Sequence, residues 1–176
     1  MHYKTLKVIM IGIVFFISAC MMMDNEENST DNRQTDVTTI HQLERTEHFR
    51  EGALAHILEG ELNHKGQAVG FHYDQLPTKK GEVIEGTETK PDEFGVYEAK
   101  VTVSDIEKKS NGGKSTFFPD EWDTQEIVDV INEAYEKRVF ITGNTYEGLT
   151  AEGMVIRIYV DQQQKIISAF PIYEGS

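Results

Sequence analysis

Cysteine is nearly absent from this chain, whose 176 residues include a single one, Cys20. One cysteine excludes an intrachain disulfide, and it also excludes a metal site built from several thiolates. The fold must therefore be stabilised by its apolar core, even in an oxidising environment.

Positive charge is also scarce. Lys and Arg together number 17 against 30 Asp and Glu, which gives a formal net charge of -13. A protein that binds nucleic acid generally carries a basic stripe, and this composition argues against general binding of polyanions. Most of the carboxylates are explained as a solvated surface that keeps the protein soluble. Any action on a nucleic acid must therefore depend on a few local cations.

The N-terminal apolar run is too short to cross a bilayer comfortably. It extends from Val8 to Ile17, whereas a spanning helix needs roughly 20 apolar residues. The run follows Lys4 and Lys7 and precedes small residues, which is the layout of a signal peptide. Residues 1–19 are therefore predicted to be a leader. An ordinary secretory peptide that leaves Cys20 as a free thiol, and an uncleaved membrane segment, remain as alternatives.

The tetrapeptide Ile17-Ser18-Ala19-Cys20 resembles the bacterial lipobox, in which the cysteine sulfur accepts a diacylglyceryl group. This resemblance implies lipidation of Cys20 and a protein that its lipid holds at the outer, extracytoplasmic face of the cell membrane. Residues 20–44 are mostly polar, and we expect them to form a disordered tether. Residues 45–176 are long enough for one domain with one core.

Hydrophobic periodicity predicts an α+β domain with short N-terminal helices, one internal helix and a largely antiparallel sheet. The short helices are expected within residues 43–58, and the internal helix opens with Asp123 as N-cap and Glu126 three residues later. Ser110-Asn111-Gly112-Gly113 indicates a flexible turn. Strands are predicted at 67–73, 82–85 and 96–103, and as a meander at 139–142, 146–150, 154–160 and 165–171.

His56, His72 and Lys114 are the residues best suited to chemistry. Two imidazoles and an ammonium suffice for metal-free cleavage of RNA: one imidazole deprotonates the ribose 2′-hydroxyl, the other protonates the departing 5′-oxygen, and the ammonium stabilises the phosphorane. Histidine suits both roles because its ordinary pKa is about 6.5. Simpler interpretations stay open: a polar residue on an amphipathic helix, a solvent-facing strand residue and a loop lysine, respectively.

The segments around these residues are similar to motifs of the bacterial EndoU ribonuclease family. The similar motifs are its paired-histidine signature, its lysine segment and its closing strand, and they occur in the family's order between His48 and Tyr173. They are His56-Ile57-Leu58-Glu59-Gly60-Glu61, the Lys65-Gly66 turn with Gly70-Phe71-His72, Lys114-Ser115-Thr116-Phe117-Phe118-Pro119 with Trp122, and Ile166 to Tyr173.

The resemblance implies an endoribonuclease, similar to the coronaviral uridylate-specific enzyme, that cleaves RNA 3′ of uridine and leaves a 2′,3′-cyclic phosphate. By position, His72 would be the general base, His56 the general acid and Lys114 the electrostatic partner, although the two histidine roles could be exchanged. No cofactor is required, with stimulation by manganese as an alternative, and no metal ligands are assigned.

The resemblance also implies how the base and the partners are recognised. Ser168 would hydrogen-bond the pyrimidine, Phe170 or Tyr173 would stack on it, and Thr116 would contact base or phosphate. RNA is then the substrate, the membrane is contacted through the lipid anchor, and an immunity protein is a candidate partner. The alternative function, which the net acidity favours, is a noncatalytic lipoprotein that uses the same fold to bind a partner or an anionic ligand.

Overall fold

The computed structural model describes residues 37–175, and it confirms the predicted α+β class. The leader and Cys20 lie outside the described residues, and among those described no helix is long and apolar enough to span a membrane. The elements are α1 (Ala53–Leu58), α2 (Thr124–Glu136), β1 (Glu61–Leu62), β2 (Ala68–Val69), β3 (Gly81–Val83), β4 (Tyr97–Val103), β5 (Ile106–Glu107), β6 (Lys114–Phe117), β7 (Val139–Thr142), β8 (Thr145–Leu149), β9 (Val155–Val160) and β10 (Ile166–Pro171), with short 3-10 turns at Ile40–Gln42 and Ser110–Gly113.

Helix α2 begins as its sequence predicts. Asp123 is the N-cap, and its backbone N–H donates to Glu126 Oε2 at 2.7 Å, which completes the capping box. The cap is also bound from the N-terminal side, because the Thr38 N–H and hydroxyl each donate to the Asp123 carboxylate at 2.7 Å. Val37 and Leu43 pack against the main core. Residues 37–44 therefore belong to the domain, and its predicted start at residue 45 was too late.

The C-terminal strands form the predicted antiparallel meander, with β10, β9, β8 and β7 side by side in that order. In and just before β9, alternate side chains from Met154 to Val160 are at most 2% exposed and face the main core. The same core holds the apolar stripes of α1 and α2. Burial of one face of the meander under two helices thus explains the alternating pattern of its sequence.

A second sheet is built around β4. Strand β3 pairs with one edge of β4, while β5 and β6 both pair with the other edge, so they are two parts of one interrupted strand. Tyr97, Ala99 and Val101 turn inward and pack with Phe71 and Phe117 in a smaller core. The interruption between β5 and β6 projects out of the sheet.

Two predicted elements differ from the structure. The chain at residues 43–52 forms turns rather than helix, with Arg45 and Gly52 at positive φ. Of the predicted strand 67–73 only β2 pairs in a sheet, because residues 70–72 leave it and hydrogen-bond to α1. The turn predicted at Ser110-Asn111-Gly112-Gly113 is present as a short 3-10 turn with Asn111 and Gly112 at positive φ, and Lys114 after it begins strand β6.

Candidate active site

A cleft of about 370 Å³ separates the meander from the smaller sheet. Its walls come from α1, the segment at the end of β2, the interruption between β5 and β6, strand β6 itself, and the facing strands β9 and β10. The lining residues are His56, Val69, Gly70, His72, Lys108, Ser110, Asn111, Lys114, Ser115, Thr116, Arg157, Tyr159, Ser168 and Phe170.

Backbone hydrogen bonds bring the two predicted histidines to this cleft. The Phe71 N–H donates to the His56 carbonyl at 3.1 Å, and the His72 N–H donates to the Ile57 carbonyl at 2.7 Å. Gly70 makes this approach possible: its φ is +71°, and a Cβ there would lie 1.9 Å from the His56 carbonyl oxygen. A side chain at position 70 would therefore push the two histidine segments apart.

His72 is 5% exposed, and its imidazole is held on two sides. Its Nδ1 lies 2.7 Å from the Thr116 carbonyl oxygen, and its ring stacks on Phe170 with centroids 4.8 Å apart. A carbonyl oxygen only accepts, so Nδ1 carries a proton and Nε2 of the neutral ring keeps its lone pair. Burial, assisted by the nearby Lys108 charge, lowers the pKa of His72 well below its ordinary value.

His56 has more polar surroundings. Its Nδ1 lies 3.0 Å from Glu61 Oε1, and its Nε2 lies 3.2 Å from Ser168 Oγ. Burial lowers the pKa of His56, whereas the hydrogen bond and negative charge of Glu61 act to raise it. Glu61 therefore fixes the ring orientation and favours the protonated form.

Lys108, which no sequence motif indicated, also lines the cleft. Its Nζ donates to Ser115 Oγ at 2.7 Å and to the Gly70 carbonyl at 3.2 Å. Burial lowers the pKa of Lys108 to about 8. It lines the same cleft as the two imidazoles, and its charge acts to lower the pKa of both His56 and His72. The available sequence signal was the Lys108-Lys109 pair that precedes the Ser110–Gly113 turn.

Lys114 also lines the cleft, but its charge is already paired. Its Nζ lies 2.9 Å from Glu98 Oε2 on the neighbouring strand β4, and the lysine side chain is 39% exposed. Arg157, a second residue not selected from the sequence, lines the opposite wall and donates through Nε to Glu147 Oε1 at 3.0 Å. Three cations thus line one cleft of a strongly acidic protein.

Three of the four predicted base-recognition residues line the cleft: Ser168, Phe170 and Thr116. The fourth, Tyr173, does not. Its hydroxyl donates to the Lys90 carbonyl at 2.9 Å, and its ring packs against the main core. The second aromatic ring of the cleft is Tyr159, whose centroid is 6.0 Å from that of Phe170.

Comparison with known proteins assigns this sequence to a family. The model of the bacterial EndoU nuclease family matches residues 50–173. The chain belongs to this family. A Bacillus cereus protein named "Toxin" is 47% identical to it over 148 residues, which are 84% of this chain and 26% of the relative. The EndoU chain therefore spans about a quarter of that relative's length. No solved structure matches it.

The EndoU site offers no set of ligands for a resident Mn²⁺. Within residues 37–175 there is no group of three or more His, Cys, Asp or Glu side chains arranged to hold a metal ion. In the cleft the polar side chains beside the imidazoles are hydroxyls, cations and the Asn111 amide, and Glu61 is engaged with His56. A hard divalent cation favours carboxylate ligands, and no carboxylate among the described residues lines this cleft.

Proposed function

We propose that this EndoU domain is an endoribonuclease that cleaves RNA by transesterification. The 2′-oxygen of one ribose bonds to the adjacent phosphorus as the bond to the 5′-oxygen of the next nucleotide breaks, which leaves a 2′,3′-cyclic phosphate and a 5′-hydroxyl. One observation carries the proposal: imidazoles from two separate segments, His56 and His72, open onto one cleft together with the ammonium of Lys108.

His72 is assigned the role of general base. The depressed pKa keeps its imidazole neutral near pH 7, and the Nδ1 hydrogen bond to Thr116 leaves Nε2 as the proton acceptor. Stacking on Phe170 and the short main-chain contacts hold the ring in one orientation. A positioned base of this kind typically accelerates a reaction by about 10² to 10⁴-fold.

His56 is assigned the role of general acid. Its partner Glu61 is a carboxylate, which stabilises the imidazolium that must donate a proton to the departing 5′-oxygen. After one turnover His72 carries the proton from the 2′-hydroxyl and His56 has lost one. Solvent restores both groups before the next substrate binds, so the cycle is balanced without a cofactor or an activating metal.

Stabilisation of the extra negative charge on the phosphorane is assigned mainly to Lys108. The sequence predicted Lys114 for this role, and both lysines line the cleft. Lys108 is favoured because its hydrogen-bond partners are neutral oxygens, whereas Glu98 offsets the charge of Lys114. A preorganised donor aimed at developing charge is typically worth about 10² to 10³ in rate.

The residues on the opposite wall of the cleft support a preference for cleavage after uridylates. The Ser168 hydroxyl lies in the cleft within reach of His56, and the rings of Phe170 and Tyr159 form an aromatic surface beside it. A pyrimidine that stacks there would place its polar edge near Ser168 or Thr116. Stacking of a base on an aromatic side chain is worth about 1 to 3 kcal/mol.

The place of action is proposed from the sequence and the relative. The lipobox-like segment at Cys20 supports a lipid-anchored protein at the extracytoplasmic face of the membrane. The name "Toxin" of the Bacillus cereus relative supports use of the nuclease against other cells, with an immunity protein as the partner that protects the producer.

The test uses a uridine-containing oligoribonucleotide in the presence of EDTA. We expect the protein to cleave it, to leave a 2′,3′-cyclic phosphate detectable by mass spectrometry, and to lose at least about a hundredfold in activity on His72→Ala. His64→Ala is the matched control, since that imidazole is exposed and outside the cleft. Retention of full activity by His72→Ala would refute the mechanism. An inactive protein that still binds RNA would favour the noncatalytic alternative.

A further inference from the structure

A second cavity opens behind His56 and is referred to here as the side chamber. It has a volume of about 330 Å³ and is lined by residues that include Arg50, Glu51, Asn63 and Ile167. It shares His56, Val69, Tyr159 and Ser168 with the catalytic cleft. The two volumes are each near the lower end of the range for small-molecule sites, about 300 to 1,000 Å³, so each fits one nucleotide rather than two.

The His56 imidazole stands at the boundary between the two cavities. Its Nδ1 contacts Glu61, which lines only the side chamber, and its Nε2 contacts Ser168, which lines both. His72 and Lys108 line only the catalytic cleft. The proposed acid therefore has the base on one side and the side chamber on the other.

Transesterification assigns a direction to this arrangement. The attacking 2′-oxygen and the departing 5′-oxygen lie on opposite sides of the phosphorus, and the base must reach the first while the acid reaches the second. The ribose next to His72 is thus that of the nucleotide 5′ to the cleaved bond. The nucleotide that leaves with the 5′-oxygen must extend past His56, toward the side chamber.

We propose that the side chamber binds the nucleotide 3′ to the cleaved bond, and that Arg50 at its exposed side binds the following phosphate. This inference rests on the proposed ribonuclease function. Val69 and Ile167 supply apolar surface, and Tyr159 offers an aromatic ring that reaches both cavities. Among the described residues that line the side chamber, Arg50 is the single lysine or arginine. Its guanidinium is suited to binding a phosphate.

The proposal implies a substrate of at least two nucleotides and a graded gain in affinity. The probes are three uncleavable ligands: 2′-deoxyuridine 3′-phosphate, the same compound extended by deoxyadenosine, and that dinucleotide with a 3′-phosphate. Binding to the whole protein is measured by calorimetry or fluorescence. We expect the deoxyadenosine to increase affinity by about tenfold, and the last phosphate to add about another tenfold.

Arg50→Ala should abolish the gain from the last phosphate and leave the affinity for the shortest ligand unchanged. It should also reduce the slope of log affinity against log salt concentration by about 0.7, the change for one phosphate contact in a single strand. Arg45→Ala is the matched control, because it removes the same charge five positions away, where Arg45 pairs with Asp129 outside both cavities. Glu51→Gln should raise the affinity of the longest ligand, since it removes a repulsive charge.

The results separate this inference from the proposed function. If the protein cleaves RNA but the extended ligands bind no better than the shortest one, the side chamber is not a nucleotide site and the nuclease mechanism stands. Equal losses in Arg50→Ala and Arg45→Ala would overturn the assignment of Arg50. If the extended ligands bind as expected but RNA is not cleaved, the catalytic proposal fails while the side chamber remains a binding site.

Discussion

His56 and His72 lie on the same cleft, yet their surroundings differ in almost every respect. His72 is buried, its Nδ1 contacts a backbone carbonyl, and an aromatic ring covers one of its faces. The His56 side chain is 18% exposed, and its two nitrogens contact a carboxylate and a hydroxyl. His72 is thus packed against the main chain and an aromatic ring, whereas His56 lies between polar partners at the boundary of two cavities.

This difference shows how one side-chain type can be given two proton-transfer roles. Burial and the nearby Lys108 charge favour the neutral ring of His72, whereas the Glu61 carboxylate favours the charged ring of His56. Environments that push the pKa values of paired groups apart are a general basis for acid and base assignments. The backbone hydrogen bonds next to Gly70 hold the His56 and His72 segments against each other, so the two different environments are adjacent.

The largest expected effect comes from removing each imidazole in turn. His72→Ala and His56→Ala should each lower kcat/KM on RNA by about 10² to 10⁴-fold, because a proton transfer loses its positioned group. The two variants should separate on a uridine 3′-aryl phosphate, whose phenolate leaves without being protonated. On that substrate we expect His56→Ala to recover most of the wild-type rate and His72→Ala to remain impaired. Recovery by His72→Ala instead would exchange the two assignments.

The next largest effect distinguishes the two lysines. Lys108→Met should lower kcat by about 10² to 10³-fold, as for loss of a charge-stabilising donor, and Lys114→Met should cost much less because Glu98 offsets its charge. Since the pKa of Lys108 is about 8, wild-type activity should also fall as pH rises through that value and the ammonium loses its proton. Single-turnover rates across the pH range measure both effects. A larger loss in Lys114→Met would restore the prediction made from sequence.

The close approach of the His56 and His72 segments at Gly70 can be tested with two glycines that have similar backbone conformations. Gly70 and Gly66 have φ of +71° and +69°, so alanine at either should cost about 1 to 2 kcal/mol of stability. Only at position 70 would the new Cβ also meet the His56 carbonyl, whereas nothing lies within 4 Å at position 66. Gly70→Ala should therefore lower the Tm further and reduce kcat/KM by about a hundredfold. Equal effects in thermal melts and assays would show that the close approach is unimportant.

The smallest expected effect comes from Glu61→Gln. The Glu61 carboxylate raises the pKa of His56, so its neutralisation should lower that pKa and remove the acid form at a lower pH. The alkaline side of the kcat/KM profile should move toward acid, with a change of a few fold near pH 7 and no change on the side set by His72. A profile that stays in place would mean that His56 is not the group titrating there.

Much of the fold followed from local sequence signals. The Asp123 and Glu126 pair predicted the start of α2, and alternation from Met154 to Val160 predicted the buried face of the meander. These signals work because a capping box and a two-residue period report contacts made within one element. The N-terminal boundary failed since Thr38 binds a cap that lies 85 positions away, which a polar composition does not reveal.

The site was predicted only in part, because some of its residues are placed by contacts between distant segments. The motifs identified His56 and His72, and the structure brings both to one cleft. The position of Lys108 instead depends on the interruption between β5 and β6, where Asn111 and Gly112 at positive φ let the chain turn back so that Lys108 reaches Ser115. Tyr173 was placed by its position in the motif, but the chain has left β10 before residue 173, and the hydroxyl binds the Lys90 carbonyl instead.

The main-chain hydrogen bonds of His72 connect the proposed catalytic base to the stability of the fold. Its amide donates to Ile57 in α1, and its carbonyl accepts from Phe118 at 2.9 Å, so the residue bridges two buried segments. We expect such an amide to be among the slowest to exchange its hydrogen with deuterium, because its hydrogen bond and both bridged residues are buried. Selection for a well-placed base and selection for a persistent fold then act on the same residue. Substitutions that weaken the core would be detected first as lost turnover.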